Sequence, residues 1–112
     1  MEIEEIFLIN IKNFKNSAEL VFKTKDFTSS TILYFKTLFA VLDLIIFKDK
    51  KRVPKDHTER FRILEIDYKD YYLLLDKLYP KYRESYNMII SKEDCEIIKQ
   101  NVEKLIREQN IL

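Results

Sequence analysis

No glycine occurs anywhere in the 112 residues, and only two prolines interrupt them. Glycine supplies the positive φ angles of tight hairpins, so a chain without it is poorly suited to an all-β fold. The same absence removes phosphate-cradling and dinucleotide-binding loops, whose backbone must approach the ligand closely. Helices joined by short connections are what such a chain can form. Its length suffices for one hydrophobic core and not two, so residues 1–112 read as a single domain.

Apolar spacing predicts where the helices lie. Ile3, Phe7, Ile11, Phe14, Ala18 and Val21 recur three or four residues apart and mark a first helix ending near Lys25-Asp26. Thr28, Ser29 and Ser30 then offer N-caps for a second helix. From Ile32 to Phe47 that helix is apolar almost all round. It falls short of the roughly 20 residues a membrane span needs and contains Lys36 and Asp43, so it reads as a buried core helix. Its one stripe with polar positions carries Lys36, Ala40 and Asp43, the expected wet or dimer face. Pro54 forbids helix across the next connector, and Asp56 with Glu59 forms a capping-box pattern opening a short third helix to about Ile66. A fourth helix begins near Asp67 and carries Tyr68, Tyr72, Leu75, Tyr79, Tyr82 and Tyr86, with Pro80 expected to kink or split it. Ser91 caps a fifth, whose inner stripe is Cys95, Ile98, Val102 and Leu105. The expected fold is all-α: an up-and-down four-helix bundle with an additional short helix.

One cysteine and one histidine cannot make an internal disulfide or a zinc site, so neither metal nor cofactor is expected. The lone thiol and the acidic start Met1-Glu2-Ile3-Glu4-Glu5 fit a cytoplasmic protein better than a secreted one. Net charge is only +1, but it is polarised. Between Lys48 and Arg62 stand seven Lys/Arg against three Asp/Glu, a basic corner on a mildly acidic body.

That corner holds the candidate chemistry. His57 can exchange protons near neutral pH, and Arg52 could clamp a phosphate bidentately, which makes the pair a catalytic candidate for metal-independent RNA cleavage. The plainer role of His57 is the exposed first residue of a helix beside its Asp56 cap. Lys50, Lys51, Arg52 and Lys55 are the candidate phosphate or RNA contacts, against the alternative of a solvated loop. Tyr82, Arg83 and Tyr86 are cleft candidates, although a tyrosine stripe at helical spacing more often serves the core. The carboxylate pairs Asp67/Asp70 and Glu93/Asp94 sit at helix starts, where capping explains them.

The order of features resembles the HEPN family of small helical proteins. An aromatic-rich second helix, Thr31-Ile32-Leu33-Tyr34-Phe35-Lys36-Thr37-Leu38-Phe39-Ala40, precedes a proline- and histidine-bearing loop, Val53-Pro54-Lys55-Asp56-His57. Leu75-Asp76-Lys77-Leu78-Tyr79-Pro80-Lys81-Tyr82-Arg83-Glu84-Ser85-Tyr86 follows, and Ser91-Lys92-Glu93-Asp94 opens the last helix. The resemblance runs from about Asn16 onward. It implies a homodimer that works beside a minimal nucleotidyltransferase, commonly as a toxin–antitoxin pair, and acts on RNA or a nucleotide. Nuclease members place an arginine and a histidine four to six residues apart, the spacing of Arg52 and His57. They hold that pair on a helix with a polar residue after the arginine, whereas Val53 and Pro54 follow here. The expected function is therefore binding, to a nucleotidyltransferase partner or to nucleotide or RNA phosphate. A metal-independent endoribonuclease and a purely structural bundle are the alternatives.

Overall fold

Side-chain caps set where the helices begin. In the computed structural model, which describes residues 1–111, the Asp26 carboxylate accepts the Ser29 N–H at 3.0 Å. Asp56 accepts from Glu59 at 2.9 Å, and the Ser91 hydroxyl accepts from the Asp94 N–H at 3.1 Å. Each satisfies an amide that the first helical turn leaves without a partner. The helices are α1 (Ile3–Lys23), α2 (Phe27–Lys50), α3 (His57–Asp67), α4 (Lys69–Glu84) and α5 (Lys92–Glu108). The fold is all-α, with α3 as the short member.

The caps at Asp56 and Ser91 lie where the sequence places them, but α2 starts earlier than its apolar run. Thr28, Ser29 and Ser30 are inside its first turn, because Asp26 takes the capping role. Freed from capping, two of them tie elements together. The Ser30 hydroxyl donates to the Ala18 carbonyl of α1 at 2.8 Å, and the Thr28 hydroxyl accepts from the Ile90 N–H at 2.9 Å.

Without glycine, the chain uses other residues for left-handed turns. Lys25 has φ 69°, Lys51 φ 59° and Asn110 φ 54°. Lys51 closes α2, its N–H donating to the Phe47 carbonyl at 2.8 Å. A left-handed residue with a Cβ costs about 1–2 kcal/mol, so each tight exit is mildly strained.

Helix α2 is the axis of the molecule, packing on α1, α5 and α4, while α3 packs on α4. Tyr34, Phe35, Leu38, Val41, Leu42, Leu44 and Ile46 are completely buried. Full burial of such a side chain contributes about 1.5–3 kcal/mol. By length and hydropathy α2 could cross a membrane, yet 72% of its most apolar window is buried against the other helices. Its apolar circumference is thus largely covered within one chain, and no second copy is needed to shield it.

Two expectations change. Helix α4 continues through Pro80 without a break. Pro80 is exposed, so water can satisfy the carbonyl one turn back that lacks a donor. Ile3, expected inside, is 47% exposed at the start of α1. The buried face of α3 carries Arg60 beside Ile63 and Leu64, and the half-buried Phe61 packs against the core.

Candidate functional site

The buried arginine organises the site. Asp43 on α2 and Arg60 on α3 form a two-pronged ion pair, with Nε to Oδ1 at 2.7 Å and Nη2 to Oδ2 at 2.8 Å. Both side chains are about nine-tenths buried. The guanidinium lies 4.7 Å from the centre of the Phe39 ring, an added cation–π contact one turn before Asp43. Its remaining nitrogen, Nη1, sits 2.6 Å from Nδ1 of His57.

That last contact determines the state of the histidine. An arginine N–H only donates, so Nδ1 must accept and the ring proton sits on Nε2. Burial first, and the Arg60 charge second, hold the imidazole below its ordinary value, with Lys36 acting the same way and Asp43 and Asp56 opposing. His57 is therefore neutral at physiological pH. Nε2 has no partner among the described residues and is not one of the buried orphaned atoms, so it reaches solvent as a donor. In this tautomer it cannot take a proton from a nucleophile at Nε2.

Aromatic rings frame the imidazole. Their centres lie 4.7 Å (Phe39), 5.8 Å (Tyr79) and 5.8 Å (Tyr82) from its own. Tyr79 and Tyr82 stack at 5.5 Å with their planes 16° apart. The hydroxyls of Tyr82 and Tyr86 lie 2.8 Å apart. Burial, then the contact with Tyr86, pushes the Tyr82 hydroxyl up to about 12, so it stays protonated. Tyr86 lies beyond the end of α4 and is 71% exposed. The patch thus offers an imidazole N–H, tyrosine hydroxyls and an open aromatic face, with the exposed cations Lys36 and Arg83 nearby on α2 and α4.

The residues singled out in the sequence are distributed differently. Arg52 does not touch His57; it pairs with Glu59 at 2.8 Å, and Pro54 turns the chain between them. The arginine against the histidine is Arg60, whose Nε and Nη2 are held by Asp43 and whose Nη1 is held by His57, in a side chain about nine-tenths buried. Lys50 is held by Asp67 at 2.8 Å and lies over the Tyr68 ring, while Lys48 pairs with Glu4 at 3.4 Å. Of the proposed phosphate contacts, only Lys51 and Lys55 lack an ion pair among the described residues. The basic corner is therefore largely neutralised by acids brought from α1 and α3. Arg83 packs over Tyr79 at 5.9 Å, so Tyr82 and Tyr86 pair without it. Of the expected dimer face Lys36, Ala40 and Asp43, only Lys36 is exposed; α3 covers Asp43 because Arg60 needs its charge.

The Asp43–Arg60 pair escaped sequence reading because the two residues are seventeen apart and on different helices. One signal was present: a lone acid in an apolar helix demands a partner. A surface depression of about 600 Å³ lies elsewhere, between Tyr71 and Leu74 of α4 and Leu105 of α5. Among the described residues no three His, Cys, Asp or Glu side chains converge as metal ligands would. The chain matches no family model, no curated protein and no solved structure.

Proposed function

We propose that this chain is a non-catalytic binding domain for a phosphate-bearing ligand, a nucleotide or single-stranded RNA. The ligand would lie on the patch of His57, Tyr82 and Tyr86. The observation that carries the reading is the 2.6 Å contact of Arg60 Nη1 with His57 Nδ1, which makes the outer edge of the imidazole a donor. A neutral N–H suits a phosphate oxygen, and the exposed Tyr86 ring suits a base, a contact worth about 1–3 kcal/mol. Lys36, Arg83 and Lys55 supply long-range attraction without clamping. Under the HEPN resemblance, this domain would work beside a minimal nucleotidyltransferase, possible toxin–antitoxin pairing included, and a nucleotidyltransferase that co-purifies with it would be that partner.

The test titrates fluorescent single-stranded RNA with protein in EDTA, reading anisotropy and gel mobility together. Binding without cleavage is expected, weakened about tenfold by Tyr86→Ala and by His57→Ala and unaffected by Arg52→Ala. Cleavage that disappears in His57→Ala would instead establish the ribonuclease. Absence of binding by RNA and by free nucleotides would overturn the proposal.

A further inference from the structure

We infer that the depression between the start of α4 and the end of α5 is a binding site for a small organic ammonium ion, of the size and charge of choline, held against Tyr71 by the carboxylates of Asp70 and Glu108. This site is separate from the patch of His57, Tyr82 and Tyr86 and takes a ligand of the opposite charge.

The volume, about 600 Å³, is that of a small-molecule pocket. Leu74 and the buried Leu105 supply apolar lining, and Tyr68 and Tyr71 are its aromatic walls. The two ring centres lie 6.4 Å apart with planes 28° from parallel. Both rings are anchored at the hydroxyl. Tyr68 donates to Asp49, and burial followed by that bond pushes its hydroxyl up to about 12, so the donated proton is kept. The Tyr71 hydroxyl accepts from Gln109 Nε2 at 2.6 Å, which ties α4 to the residue after α5. Rings held in this way lose little freedom when a ligand arrives.

The charge of the lining selects the ligand. Three acids, Asp67, Asp70 and Glu108, stand there against Lys69 alone. Asp67 is neutralised by Lys50 at 2.8 Å, whereas Asp70 and Glu108 form no ion pair among the described residues. No side-chain hydrogen bond caps α4, so capping does not occupy Asp70. Lys69 is drawn over the Tyr72 ring, its ammonium 4.9 Å from the ring centre. The half charge at the positive end of α4 is outweighed by two whole carboxylates, and the negative end of α5 adds to them. One wall of the depression already displays the chemistry. The Lys50 ammonium lies 5.8 Å from the centre of the Tyr68 ring while Asp67 holds its charge. An aromatic ring with a carboxylate beside it is what attracts an alkylated ammonium ion. Tyr71 with Asp70 and Glu108 repeats that combination, and among the described residues no cation of the chain lies over its ring.

Titrating the isotope-labelled chain with choline should move the amide NMR signals of Asp70, Tyr71 and Glu108 along one saturable curve. Dimethylbutanol, which has the shape of choline with carbon in place of the charged nitrogen, should bind about tenfold more weakly. Tyr71→Leu should weaken choline about tenfold at unchanged helix content, whereas Tyr71→Phe keeps the ring and should stay within about twofold of the wild type. Asp70→Asn with Glu108→Gln alters exposed positions and should weaken binding several-fold while flattening its salt dependence. His57→Ala should leave choline binding unchanged. Vesicles of phosphatidylcholine present the same headgroup on a surface and should not sediment the protein; co-sedimentation would overturn the assignment to a small free ion. No saturable shift up to about 10 mM choline, equal binding of the neutral alcohol, or an affinity unchanged in Tyr71→Leu or in the double carboxylate variant would overturn the site itself.

Discussion

Removing the carboxylate of Asp43 by Asp43→Leu strands the Arg60 guanidinium, whose side chain is 9% exposed and whose charge then has no counter-ion. Two hydrogen bonds, at 2.7 and 2.8 Å, disappear at once. Breaking a buried pair from one side typically costs about 3–5 kcal/mol. Against a domain stability of about 5–15 kcal/mol, that is a large fraction of the total. Arg60→Met should cost a similar amount at neutral pH, because a buried carboxylate is left behind and the contact with Phe39 is lost. The double variant Asp43→Leu/Arg60→Met removes both charges and fills the volume with apolar atoms. It should unfold within about 2 kcal/mol of the wild type, since the desolvation of both ions is recovered. Urea unfolding followed by far-ultraviolet circular dichroism would measure all four proteins. A double variant whose loss equals the sum of the single losses within about 0.5 kcal/mol would refute the reasoning. The two residues would then not act as one unit.

Two further outcomes follow from named groups. Burial and Arg60 lower the affinity of His57 for a proton in the folded chain, so the unfolded chain binds it more readily. Stability should be full above the unfolded value of 6.5 and decline as pH falls below it; His57→Asn, which keeps an acceptor for Arg60, should flatten that decline, and parallel pH curves for the two proteins would refute it. Lys51→Gly relieves the left-handed strain at φ 59° but adds chain entropy on unfolding, so a net gain of about 0.5–1 kcal/mol is expected in the same assay, and a loss would contradict the strain.

The absence of glycine and the apolar spacing were enough to determine that this chain is helical and which helix is central, but not that α2 begins at Phe27 or that α4 runs on through Pro80. Those properties are local: caps such as Asp56 and Ser91 and periodicities such as Cys95–Ile98–Val102 act within a turn or two of the residues that encode them. The site was only half legible. His57, Tyr82 and Tyr86 stood out by residue type, but the arginine beside the histidine could not be chosen from sequence. Arg52 and Arg60 are both within reach of His57 along the chain, and only the packing of α3 on its neighbours directs one inward to Asp43 and leaves the other outside with Glu59. The neutralisation of the basic corner by Glu4 and Asp67 was hidden for the same reason. Pairings between helices depend on crossing geometry and burial, which no window of neighbouring residues contains. Sequence alone determined a glycine-free helical bundle built on α2; tertiary structure decided which charges are buried, which are cancelled, and which edge of His57 meets solvent.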